Sequence, residues 1–92
     1  EEVMYEDADA YVKTITLNDA EDVKSVDKEL REGNIVLLNI SDMGKRNAIK
    51  LREFIGTIKG TVTSINGDIA RVSSERILIT PARVKIVKRR ME

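Results

Sequence analysis

The 92-residue sequence contains no cysteine, no histidine and no tryptophan, and only one proline. Without Cys there is no disulfide and no thiol nucleophile. Without His there is no imidazole base, and together the two absences remove Cys/His zinc sites. An oxygen-only Mg or Ca site is the metal chemistry left open, but the acidic residues are spread too evenly along the chain to mark one. No cofactor is therefore expected. The lack of Cys fits a reducing compartment. Aromatic residues are few (Tyr5, Tyr11 and Phe54), so the core must be built from Ile, Val and Leu. No apolar run approaches the roughly 20 residues that a membrane span needs, and no signal-peptide pattern is present. The chain opens at Glu1 rather than Met, and upstream residues are expected to have been cut away or processed.

What is present is a globular composition, 41% hydrophobic and 35% charged, which excludes a disordered chain. A single domain of this length buries only about 60–65% of its unfolded surface, so self-association is plausible before any motif is read. The net charge is zero but polarised. Residues 1–32 carry 11 acidic and 4 basic side chains, a net −7; residues 33–92 carry 5 and 12, a net +7. Either the halves neutralise each other in the fold or oligomer, or the second half presents a basic face to an acidic partner.

Residues 1–10 are acidic and aperiodic and read as a tail or linker remnant. YVKTITL (11–17) is rich in β-branched residues and roughly alternates, which predicts a strand. Asn18 or Asp19 offers an N-cap, with Asp19, Glu21 and Asp22 crowding a first turn where the helix dipole favours them. Apolar residues at helical spacing then predict a helix over 19–32, stopped by Gly33. The continuous apolar run at 35–40 predicts a strand covered on both faces. Leu51, Phe54, Ile55 and Ile58 give the apolar stripe of a second helix over 44–58, with Gly60 as its exit. After Gly60 the period falls to two. Strands are expected over 61–65 and 68–72, joined by a type I′ turn at Asn66-Gly67. A further strand at 77–80 ends at Pro81, and 84–87 reads as a last strand or a short edge piece.

The order β-α-β-α-β-β-β describes an α/β (α+β) two-layer sandwich. About five strands form a mixed sheet, with both helices on one face. The other face would be left bare beside an apolar strand, and a symmetric homodimer is the common way to cover it. The alternative is that the C-terminal segment folds over it.

The stretch GTVTSINGDIARVSSERILITPARVKI resembles the core of the SepF family of cell-division proteins. The matching positions are Gly60-Thr61-Val62, Gly67-Asp68-Ile69 with Arg71, then Leu78, Thr80-Pro81 and Val84. Glu53-Phe54 and Gly33-Asn34-Ile35-Val36 match upstream. The Lys/Glu content and the opening strand look like the archaeal branch. The resemblance implies a SepF-like core over 11–92 and a binding role rather than a reaction: no enzyme is expected. Such proteins dimerise, sometimes polymerise further, and tether FtsZ to the inner face of the cell membrane by gripping its C-terminal peptide. Carried over to this chain, the resemblance puts the peptide site at Arg46, Lys50 and Phe54. It puts self-association at Gly60, and the bare sheet face adds the apolar strand residues Ile35 and Leu37 to that expectation. The family's amphipathic membrane helix is absent from these 92 residues, so a membrane anchor would lie N-terminal to them. The bland readings are core packing for Phe54, a solvated helix face for Arg46 and Lys50, and a helix stop for Gly60. The main rival function is a small nucleic-acid-binding domain using the basic second half. It is disfavoured because the strands show no aromatic stacking platform.

Overall fold

A computed structural model describes residues 8–88. The acidic stretch 1–7 and the basic residues Arg89 and Arg90 lie outside it. The elements are β1 (Val12–Thr16), α1 (Ala20–Arg31), β2 (Ile35–Asn39), α2 (Ser41–Arg46), α3 (Ala48–Ile65), β3 (Asp68–Arg71) and β4 (Arg76–Thr80). The sheet order is β1-β2-β4-β3. β1 and β2 are parallel across the α1 crossover, and the other two pairings are antiparallel.

The two-layer α+β class expected from the sequence is the one observed. Helices α1 and α3 bury their apolar stripes on one face of the sheet. Val26 and Leu30 of α1, Ile58 and Val62 of α3, and Val36, Leu38, Ile77 and Ile79 of the strands form one cluster. Leu30, Leu38, Ile58 and Ile79 are fully enclosed, each worth roughly 2–3 kcal/mol of transfer free energy. The start of α1 is fixed locally. The Asp19 carboxylate accepts from the Glu21 and Asp22 amides, while the Asp22 side chain reaches back to the Asp19 amide. Its end is fixed by Gly33, at φ +88°.

Several local expectations are corrected. The described residues form four strands rather than about five. The helix expected at 44–58 is broken at Asn47, whose side chain accepts from the Lys50 amide and starts α3. α3 then runs on through the expected strand 61–65, leaving Gly60 inside the helix rather than at its exit. The reason is the apolar seam Leu51, Ile55, Ile58, Val62, Ile65. It continues the helical period, and its burial outweighs the β-propensity of Thr61, Val62 and Thr63. Asn66-Gly67 is consequently a helix cap and not a hairpin turn. Asn66 takes the left-handed conformation (φ 61°), and the Gly67 amide bonds the Val62 carbonyl at 3.0 Å. The tight hairpin is instead β3–β4, closed through 72–75. Residues 84–87 form no strand; they run irregularly beside β3.

The sheet face away from the helices carries Thr14, Leu37, Leu78 and Ala70 as one cross-strand row, with Val12 beside Ile35. Leu37 and Leu78 are half-buried, and Val12 is 65% exposed. The run 35–40 is thus fully covered only on its Val36/Leu38/Ile40 side.

Candidate functional site

α3 has two flanks on either side of its buried seam. Residues Ala48, Leu51, Arg52, Ile55 and Lys59 recur at helical spacing along one flank. They face β3 and β4 across a cavity of about 660 Å³. Its floor is Ile40, Leu51, Ile55, Ile69 and Ile77. Its charged lining is Arg52, Lys59, Arg71 and Lys88, four cations and no carboxylate. A second concavity of about 290 Å³ shares Ile40, Leu51 and Arg71 and carries the groove on toward α2 and the β3–β4 turn. There Arg71 is held in place by its guanidinium, which donates to the carbonyls of Ser73 (3.2 Å) and Ser74 (2.8 Å).

Lys50 and Phe54 stand on the other flank. At 100° per residue Lys50 is roughly 140° round the helix from Ile55. Lys50 Nζ lies 5.6 Å from the centre of the Phe54 ring, a cation–π arrangement, and pairs with Glu53 at 3.5 Å. Phe54 is half-buried against the core. Arg46 ends α2 and donates to the Asn18 carbonyl at 3.0 Å, tying α2 to the β1–α1 connection. The structure therefore brings Lys50 and Phe54 together but places neither of them, nor Arg46, in the α3–β3 cavity. Of the residues expected for self-association, Ile35 and Leu37 share the open sheet face. Gly60 lies in the opposite layer, exposed on α3 with open space where a Cβ would be.

The C-terminal segment completes the cavity. From Arg83 (φ 68°) it runs alongside β3 in the same direction. The Arg83 amide donates to the Asn66 carbonyl at 3.2 Å. Lys85 Nζ caps the end of α3 through the carbonyl and side chain of Asn66 and the carbonyl of Gly67. The Ile86 amide donates to Asp68 Oδ2 at 2.9 Å, while Asp68 Oδ1 accepts from the Ile69 amide at 2.9 Å. These amide bonds, Ile86 first, hold the Asp68 carboxyl below its ordinary range, and the Lys88 and Lys85 charges act in the same sense. The Thr80 hydroxyl donates to the Val84 carbonyl. Among the described residues no cluster of acidic side chains could hold a metal ion.

The sequence reading missed Arg52, Lys59, Arg71 and Lys88 as one group. The spacing of Ala48, Arg52, Ile55 and Lys59 was the available signal. A helix spanning only 44–58 hides that signal, because Lys59 then falls outside it, whereas α3 continues to Ile65.

The family model described as "Cell division protein SepF" matches residues 12–86. A SepF of Kocuria rhizophila is 33% identical over 75 residues, 82% of this chain and 42% of that protein. One of Bifidobacterium animalis is 37% identical over 76 residues, 83% of this chain and 47% of that one. The chain thus spans less than half the length of these relatives. The SepF-like protein of Pyrococcus furiosus superposes with a TM-score of 0.80 at 26% identity, over 90% of this chain and all of that one. SepF of Methanobrevibacter smithii, solved in complex with FtsZ-CTD, gives 0.74 at 23% identity, covering 86% and 99% of the two chains. With the family's pattern carried from β1 to the segment beside β3, and with relatives above 30% identity over most of its length, the chain belongs to the SepF family of cell-division proteins.

Proposed function

We propose that this chain is the core of a cell-division adaptor that pairs with a second copy of itself and binds the C-terminal peptide of FtsZ. The observation that carries the peptide reading is the α3–β3 groove: an apolar floor bordered by Arg52, Lys59, Arg71 and Lys88. Such a groove suits a short peptide with apolar anchors and acidic residues. The floor would supply affinity, and the cations would supply encounter rate and register. The complex of the Methanobrevibacter smithii relative with FtsZ-CTD supports the choice of partner. In this reading the adaptor works at the inner face of the membrane at the division site. No helix among the described residues is long and apolar enough to cross a membrane.

The Lys50–Phe54 pair on the opposite flank, with Arg46 beyond it, offers a second place for the same peptide. The nucleic-acid alternative would use the same cations. Yet the cavity lining contains no aromatic side chain on which a base could stack.

The test is fluorescence anisotropy of the labelled FtsZ C-terminal peptide from the same organism, with a scrambled peptide and a short DNA as controls. Saturable binding of the native peptide alone is expected. Loss of binding in Arg52→Glu and Lys59→Glu, with Lys50→Glu and Phe54→Ala unaffected, places the peptide in the groove. The reverse pattern moves it to the Lys50–Phe54 flank. Binding of DNA and not of peptide overturns the adaptor reading.

A further inference from the structure

The cation from the C-terminal segment reaches the groove by a different route from the other three. Arg52 and Lys59 project from α3 and Arg71 from β3, all rigid elements. Lys88 belongs to an irregular segment with no ladder to hold it. Its placement depends on the clamps upstream, and the one nearest to it is the Asp68 carboxylate on the Ile86 amide. The same carboxylate takes the amide of Ile69, a residue of the groove floor. The Val72 amide bonds the Arg76 carbonyl across the hairpin, so in an alternating antiparallel ladder Ile69 and Arg71 direct their amides to the open edge of β3. Asp68 therefore fills that edge at Ile69 and, through Ile86, lays the C-terminal segment along it.

We infer that Asp68 is a positioning residue for the partner site. By clamping the Ile86 amide beside the β3 edge, it seats Lys88 on the rim of the α3–β3 groove, where Lys88 selects a partner carboxylate. This rests on the reading of the groove as the peptide site. A flexible cation recruited to a rim contributes little when free and more when its backbone is already ordered, because less conformational freedom is lost on binding. A partly ordered Lys88 completes the charged lining of the α3–β3 cavity, which is all positive, with Glu75 the one carboxylate lining the adjoining concavity, so an acidic peptide is preferred over its neutral or basic counterpart.

The experiment is a double-mutant cycle read by peptide anisotropy at two salt concentrations. Lys88→Ala is expected to weaken binding about three- to fivefold at low salt, with less effect at high salt. Asp68→Ala is expected to give the same loss, and Lys88→Ala with Asp68→Ala no more than either alone. Asp68→Asn, which keeps one acceptor oxygen, gives a milder variant, and an amide NMR spectrum of each variant verifies that signals outside the C-terminal segment are unmoved. If Asp68→Ala weakens binding equally in the Lys88→Ala background, Asp68 acts through the fold and the proposal is overturned. It is also overturned if Lys88→Ala leaves affinity unchanged. If the unaltered protein binds no peptide, the reading of the groove fails as a whole. Binding that is indifferent to Asp68 and Lys88 removes the positioning role alone.

Discussion

A Cβ built on Gly67 would fall 2.2 Å from the carbonyl oxygen of Thr80, closer than any real side chain tolerates. β3 and the end of β4 meet there backbone to backbone. The oxygen cannot withdraw without opening the Asp68–Thr80 pairing. Gly67→Ala is therefore expected to destabilise the fold by about 2–4 kcal/mol, a fall of well over 5 °C in melting temperature for a domain of this size.

Gly60 makes the opposite prediction. It lies inside α3 with nothing near the position of its missing Cβ. Gly60→Ala is expected to raise stability by about 0.5–1 kcal/mol, measured by urea denaturation of dilute protein. If Gly60 also serves self-association, as the family resemblance implies, sedimentation of the same variant will show weaker association beside the higher stability.

Leu37 and Leu38 are neighbours in β2 that point to opposite faces. Leu38 is fully enclosed beneath the helices, and Leu38→Ala is expected to lose about 3 kcal/mol. Leu37 faces away from the helices in the row with Thr14 and Leu78. If the proposed pairing with a second copy uses this face, Leu37→Lys is expected to leave the fold intact by circular dichroism and to shift light scattering from dimer to monomer. A variant that stays dimeric rejects the open sheet face as the pairing surface.

Asp68 sets an acid limit. Its carboxyl titrates below the ordinary value because the Ile86 and Ile69 amides bond the charged form. A group depressed in the folded state contributes stability that is complete above its unfolded pKa and is lost as the pH falls through its folded one. Here that window opens below about pH 4. Thermal melts from pH 6 down to pH 2 are expected to show a shallower acid decline in Asp68→Asn than in the unaltered protein. Equal declines would mean that the clamp contributes nothing to the folded state.

What the sequence determined by itself was whatever depends on near neighbours and on period. The Asp19–Asp22 capping box, the Val26–Leu30 face, the Gly33 stop, and the β2 and β4 strands are all written in segments of a dozen residues or fewer. Their physics is local, so they could be read before any contact was known. The family was legible for a related reason: the order and spacing of Gly60, Gly67-Asp68-Ile69 and Thr80-Pro81 survive without knowledge of the fold. Thr61 to Gly67 misled because two local rules agreed on a hairpin, namely β-branched residues and an Asn-Gly pair. The long-range burial of Val62 and Ile65 decided for helix. That burial energy exists only once α3 lies on the sheet. The rim shows the same division. Arg52, Lys59, Arg71 and Lys88 share no motif, and they come from a helix, a strand and an irregular segment. Only the return of β3 beside α3, and the clamp that lays the C-terminal segment along the strand's edge, places their charges around one apolar floor.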